Sequence, residues 1–163
     1  MPVDSKSVTN RRRIHYNSLD EFVADAERLA ATEVQMLGNW SLDQIFGHLA
    51  FSMNSSIDGF SFGVPKPIRP IVRLFFKKKF LEGPINPGFK FPAKAAAVAL
   101  PEPSDVQEKL NDLRAAVHRI KTETKRAPNP GIGPLTVDEW TQFHLRHAEL
   151  HMSFAKPATD PQN

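Results

Sequence analysis

Cysteine is absent from the 163 residues of the sequence. Without thiols the chain cannot be a disulfide scaffold, a thiolate zinc finger, an iron–sulfur protein or an enzyme with a cysteine nucleophile. The lack of cysteine also fits a reducing compartment. Any metal ion must therefore be held by histidine or carboxylate side chains.

Long apolar segments are missing as well. No stretch approaches the roughly 20 apolar residues that a membrane-spanning helix needs. The charged N-terminal residues are not followed by the apolar region and cleavage site of a secretory signal. We therefore expect a cytoplasmic protein.

The composition predicts one ordinary globular domain, because 40% of the residues are hydrophobic and 24% are charged. Lysine and arginine number 21 against 18 aspartate and glutamate residues, a net charge of +3. This small basic excess does not identify a partner.

Apolar residues recur with helical periodicity in four segments. The predicted helices cover residues 18–37, 41–57, 104–124 and 136–155. Capping-box spacing supports two of the starts, Ser18 with Glu21 and Thr136 with Glu139. Ser104 is the predicted N-cap of the third helix.

A proline-rich connection separates the second and third helices. Residues 60–103 contain eight of the 14 prolines, which prevent long regular elements. A short helix is expected after Pro70, followed by extended chain beyond Gly83. Four helices and one long crossover predict an all-α fold, a four-helix bundle over residues 18–155. An N-terminal arm (1–17) and a C-terminal tail (156–163) are expected to fray.

Three of the six histidines lie on one face of the fourth helix. Trp140, His144, His147, His151 and Phe154 are spaced by four, three, four and three residues, as in a stripe that faces a core. Because His147 and His151 are four residues apart, their imidazoles project side by side and could share one metal ion.

A divalent ion needs at least three protein ligands. His48, at the edge of the apolar stripe of the second helix, is the predicted third ligand. Gln44, one turn earlier, is expected to support it, whereas Glu149 is expected to point away from the ligands.

The alternative is that each histidine is a core or boundary residue satisfied by an ordinary hydrogen bond. We apply that interpretation to His15 and His118. For His147 and His151 alone the two hypotheses are evenly balanced, and His48 on a second apolar face favours the metal site.

Three segments, GNWSLDQIFGHLA, NPGIGPLTVDEW and HLRHAELH, resemble the DinB/YfiT-like superfamily of metalloenzymes, most closely the family called domain of unknown function 1569. The resemblance covers about residues 18–155. It implies a four-helix bundle in up-down-down-up order, often paired as a homodimer, with a divalent metal on three histidines. The positions that match those ligands are His48, His147 and His151.

Three neutral imidazoles leave a bound ion with an open position, which is typical of a catalytic site. Zinc or nickel is the expected metal, with iron as a further option, since imidazole binds all three. The resemblance implies chemistry with a low-molecular-weight thiol. We predict a metal-dependent S-transferase or hydrolase of a small molecule, in which His144 supports the ligands or carries a proton. The alternative is a non-catalytic metal-binding or interaction module of the same fold.

A rival function is suggested by RPIVRLFFKKKF, in which basic and apolar residues alternate over residues 69–80. Such a segment could contact acidic lipid or nucleic acid. We expect neither partner, because a crossover segment should bury some of its apolar residues on the bundle and leave its lysines in water.

Overall fold

A computed structural model describes residues 2–88 and 99–158. In this part of the chain the secondary structure consists of five helices and a two-stranded sheet. The helices are α1 (Leu19–Ala30), α2 (Leu42–Asp58), α3 (Arg69–Glu82), α4 (Val106–Thr122) and α5 (Val137–Met152), and the strands are β1 (Val34–Met36) and β2 (Ala155–Pro157). The described chain is therefore mostly helical, as predicted, with a small sheet that was not predicted.

The main core lies where α2 packs against α4 and α5, and α1 packs against the same two helices. Each of the four helices contributes large buried side chains, including Phe22, Phe46, Leu113 and Leu145. A second, smaller cluster forms around Trp140, and α3 packs on it through Phe80 and other side chains. Since α2 and α5 are neighbours in the main core, the histidines of the two helices can meet.

Local capping signals set the starts of the helices. The Ser18 hydroxyl accepts a hydrogen bond from the Glu21 N–H at 3.1 Å, and Thr136 and Glu139 form the predicted capping box. The prediction for α4 was wrong by one residue, because Asp105 and not Ser104 is the N-cap. Ser104 lies outside the helix, and its N–H is bound by the Asp43 carboxylate at 2.7 Å.

The first helix is shorter than predicted. It ends at Ala30, and residues 34–36 form β1, which pairs antiparallel with residues 155–157 in β2. Two further backbone hydrogen bonds of 2.9 Å extend the pairing at its two ends. The Leu37 N–H donates to the Phe154 carbonyl, and the Ala158 N–H donates to the Glu33 carbonyl. Because the partner strand is more than a hundred residues away, helical periodicity in the first segment could not reveal it.

Both ends of the described chain are held by contacts where fraying was expected. The Arg12 guanidinium pairs with Asp25 at 2.7 Å and donates to the Met152 carbonyl. Tyr16 is 4% exposed, and its carbonyl accepts a bond from Arg146. The arm therefore lies against α1 and α5.

The helix expected after Pro70 forms as α3 and is 14 residues long. Pro70 is its second residue, where the missing N–H costs nothing. No residue of α3 is fully buried, but Val72, Phe80 and Leu81 are partly buried against the second cluster, so the expectation that this segment buries some apolar side chains is met in part. The extended course predicted beyond Gly83 falls largely on residues 89–98, outside the described residues. None of the described helices has the length and apolar character to cross a membrane.

Candidate metal centre

The three predicted ligands come together between α2 and α5. His147 Nε2 lies 3.1 Å from His48 Nε2 and 3.0 Å from His151 Nε2. One ligand atom from each of the three imidazoles can be chosen so that all lie within 4.8 Å of one another. Helical geometry explains the arrangement, because His147 and His151 are one turn apart on α5 and His48 is on the buried face of α2.

The spacing of the nitrogens fits a shared cation. Imidazole nitrogens bind zinc at about 2.0–2.1 Å, so two of them at a tetrahedral angle are roughly 3.3 Å apart. The Nε2 contacts of 3.1 and 3.0 Å are close to that separation. The residues present therefore suit a divalent ion with nitrogen ligands.

A backbone carbonyl orients the His48 ring. The Nδ1 atom of His48 is 2.8 Å from the carbonyl oxygen of Ala99. Since a carbonyl can only accept, Nδ1 carries the proton of a neutral ring, and the lone pair of Nε2 faces the other two histidines. Metal-binding histidines commonly donate their second ring N–H in this way.

Hydrogen bonds alone satisfy this cluster poorly. With its own proton on Nδ1, His48 offers His147 only a lone pair. His147 can place one proton at most on Nε2, and that proton would have to serve both His48 and His151. If His147 instead accepts a proton from His151, two lone pairs face each other at His48. A cation would accept lone pairs from all three rings.

Burial keeps the three rings neutral. It lowers the pKa of His48, and burial together with the neighbouring histidines lowers the pKa values of His147 and His151 well below the ordinary value. Neutral imidazole is the form that binds metal ions. The cluster is therefore in its ligating state at pH 7.

Aromatic side chains pack around the ligands. The Trp40 ring stacks on His151 with 5.0 Å between centroids and 6° between planes, and it lies 5.0 Å from His48. Phe143 lies 5.6 Å from His147. These rings restrict the imidazole orientations and lower the local dielectric constant. Sequence reasoning gave Trp40 no role of its own, although Trp40 lies in the GNWSLDQIFGHLA segment that carries the family resemblance.

His144 does not join the three ligands. It is 1% exposed and stacks on Trp140, and its Nε2 lies 3.0 Å from the Ser56 hydroxyl. Because that hydroxyl donates to the Met53 carbonyl at 2.6 Å, His144 donates and Ser56 accepts. Burial and the charge of Arg126 lower the pKa of His144 to about 3. Its Nδ1 therefore carries a lone pair, and this atom has no hydrogen-bond partner in the described chain.

The expected supporting role of Gln44 is not seen. Its side-chain oxygen accepts from the Ser41 N–H at 3.1 Å, and its amide donates to the Pro101 carbonyl at 3.2 Å. Gln44 thus caps α2 and ties it to the chain before α4, whereas Ala99 orients His48.

The remaining histidines lie outside the cluster. His15 is in the arm, beside Arg146 and Glu149, and His118 is exposed on α4. Glu149 faces the arm, where it accepts a 2.7 Å bond from the Tyr16 N–H. A carboxylate is thus not among the groups that surround the three imidazoles in the described chain.

The fold and the site together define a mostly helical protein with a buried cluster of three histidines suited to a metal ion. A family model with the description "Protein of unknown function (DUF1569)" matches residues 8–158. The chain therefore belongs to this family, in agreement with the resemblance in its motifs. No curated protein and no solved structure matches the chain.

Proposed function

We propose that this protein is a divalent-metal-dependent enzyme that acts on a small molecule through His48, His147 and His151. The observation that carries the proposal is the pair of short Nε2 contacts, 3.1 and 3.0 Å, which three neutral rings can satisfy only by sharing a single His147 proton between His48 and His151. A lone pair fixed toward the centre by the Ala99 carbonyl adds to this support.

The ligand set favours catalysis over a purely structural role. Three protein ligands leave a position for a water, a thiol or a substrate, whereas structural zinc sites use four. When bound, the ion supplies a Lewis acid that lowers the pKa of a water or thiol and makes it a better nucleophile at neutral pH. The protein contributes neutral ligands, fixed ring orientations and an aromatic surround.

The reaction we propose is S-transfer that uses a low-molecular-weight thiol, or hydrolysis. Its support is the resemblance of the three motifs to the DinB/YfiT-like superfamily, in which we place the chain, with the four helices α1, α2, α4 and α5 as the up-down-down-up bundle. Zinc or nickel is the proposed metal, and iron is the next choice. The proposal includes the domain over residues 18–155, a cytoplasmic location and a homodimer, and it includes no nucleic-acid partner.

We assign His144 to support of the ligands or to proton transfer. Its unpartnered Nδ1 is an acceptor, and the Nδ1 of His147 is also buried without a partner in the described chain. When His147 binds a metal through Nε2, its Nδ1 must carry a proton, so the two atoms are complementary. The two atoms are not hydrogen-bonded to each other in the described chain, so this role requires the His144 or His147 ring to move when the metal binds.

A non-catalytic metal-binding module is the second candidate, and the close packing of Trp40 on His151 favours it. The two candidates differ in access to the metal. Protein loaded with Co²⁺ should change its visible spectrum on addition of a small thiol if a coordination position is open. An unchanged spectrum would favour the non-catalytic module.

The metal site itself is tested by elemental analysis. Protein purified without chelator or affinity tag is expected to contain about one equivalent of zinc, nickel or iron, as a single shared site requires. The double variant His48→Ala, His151→Ala should lose this metal, because one imidazole cannot hold it.

The exposed His118→Ala is the matched control and should keep its metal. Full occupancy in the double variant would reject the ligand assignment. Absence of metal from the wild type, with stability unchanged by added ions, would mean that the three histidines are packing residues.

A further inference from the structure

The outer side of α3 carries an apolar and basic stripe that faces solvent. We call Ile71, Leu74, Phe75, Lys78 and Lys79 the outer stripe, since their spacing of three, one, three and one places them on one side of the helix. Ile71 is 60% exposed, Leu74 79% and Phe75 69%. Exposed large apolar residues are unremarkable singly, but a cluster of them marks an interaction surface.

Contacts on the opposite side of α3 fix the direction of the outer stripe. The Arg73 guanidinium donates to the carbonyls of Ile132 and Pro134 at 3.0 and 2.6 Å. Lys77 pairs with Glu139 at 2.5 Å. Since these bonds and Phe80 hold the inner side on the second cluster, α3 cannot turn to bury its stripe there.

The basic groups of the stripe are largely uncompensated. Lys78 meets Glu82 only at 3.8 Å, with both side chains mostly exposed, and such a pair contributes little. Neither Lys79 nor the nearby Lys66 forms an ion pair with a carboxylate of the described chain. The partner that complements this surface is therefore apolar and anionic.

We propose that α3 docks on an anionic lipid surface, with Ile71, Leu74 and Phe75 in the interface and Lys78 and Lys79 at the phosphates. An amphipathic helix of this kind lies in the plane of the membrane and does not cross it, and each lysine near an anionic surface adds attraction. The expectation of no membrane partner assumed that this segment buries some apolar residues on the bundle. Val72 and Phe80 do pack there, but the apolar residues of the outer stripe stay exposed.

Two other occupants fit the stripe less well. Nucleic acid could use the lysines and stack a base on Phe75, but it would leave the aliphatic side chains of Ile71 and Leu74 without an apolar partner. A second copy of the chain would cover the apolar residues, but it would bring four lysines into one interface with only Glu82 from each copy to offset them. An anionic lipid surface offers acyl chains to the apolar side chains of the stripe and phosphates to its lysines.

Vesicle co-sedimentation tests the proposal with the full chain. Wild-type protein should bind phosphatidylcholine vesicles that contain about 30% phosphatidylserine at least tenfold more tightly than pure phosphatidylcholine vesicles, at about 0.15 M salt. The double variants Leu74→Ser, Phe75→Ser and Lys78→Glu, Lys79→Glu should each reduce this binding at least fivefold. All four side chains are exposed, so circular dichroism should be unchanged.

Matched controls lie outside α3. The variants Val3→Ser and Lys125→Glu change an exposed apolar and an exposed basic residue, and both should bind like the wild type. Vesicle binding that is absent, or that the α3 variants leave intact, overturns the proposal. So does a dimer in light scattering that Leu74→Ser, Phe75→Ser dissociates, if vesicles are not bound. The inference does not depend on the metal site, so either proposal can fail alone.

Discussion

At the scale of single residues, a neutral imidazole in the core makes stability depend on pH. The pKa of His144 is about 3 in the folded protein, against an ordinary value of about 6.5. Below pH 6.5 the unfolded chain therefore binds a proton that the native state excludes. The contribution of His144 to stability is complete above pH 6.5 and is lost as the pH falls toward the folded pKa.

We expect this effect to be visible in His144→Gln. The glutamine amide can still donate to Ser56 but does not titrate. In urea unfolding with chelator present, the free energy of unfolding of the wild type should fall below pH 6.5 more steeply than that of the variant, by about 1.4 kcal/mol for each pH unit. The exposed His118→Gln should follow the wild type. Parallel curves for wild type and His144→Gln would contradict the burial argument.

The residues of the candidate site were predictable to different degrees. The positions of His48, His147 and His151 follow from helical spacing, which is local information. Trp40 and Ala99 were not predictable, because each meets the histidines only through tertiary structure. Gln44 was misassigned. It lies one turn from His48, but its side chain accepts a hydrogen bond from the Ser41 N–H at the start of α2.

At the scale of elements, the β1–β2 ladder joins the segment before α2 to the segment after α5. β2 follows α5 directly, and Trp40 comes four residues after the end of β1. The ladder thus holds the segment that places Trp40 on His151.

Deletion of residues 155–163 should weaken both the fold and the site. Ala155 is fully buried, and its removal with the ladder bonds should lower the free energy of unfolding by about 3 kcal/mol. Zinc affinity, measured by chelator competition, should fall as well. Deletion of residues 159–163 alone leaves β2 in place and is the control. Unchanged stability in the longer deletion would show that β2 is dispensable.

Element boundaries show where sequence information ended. The starts of α1, α2 and α5 were predicted because capping is decided within four residues. The end of α1 was not, because Val34 and Leu37 continue the helical period while their backbone pairs with a distant strand. The exposure of α3 was missed for a related reason, since periodicity does not reveal which faces find a partner.

At the scale of the whole molecule, the arm joins the first and last helices. Arg12 pairs with Asp25 of α1 and also reaches the end of α5. The side chains of Arg12 and Asp25 are 11% and 13% exposed. Hydrogen bonds from Arg12 and Tyr16 outweigh burial and hold the pKa of Asp25 below its ordinary value. The pair therefore stays ionised at neutral pH.

Replacement of Arg12 by methionine should destabilise the protein by about 3 kcal/mol, because a buried carboxylate loses its main partner. Urea unfolding at pH 7 measures the effect. Arg13→Met, at an exposed neighbouring position, should change stability little. Adding Asp25→Asn to Arg12→Met should restore part of the loss, and strict additivity of the two changes would argue against a coupled pair.

The orientation of His48 by Ala99 has a consequence for the order of events in folding. The contacts of His48 with Ala99 and His147 span 51 and 99 residues of sequence. Closing such long loops costs entropy that only late, long-range packing repays. The ability to bind a metal ion should therefore appear in the last kinetic phase of refolding, after the helices have formed. Metal binding during refolding would then report that the chain has reached its native topology.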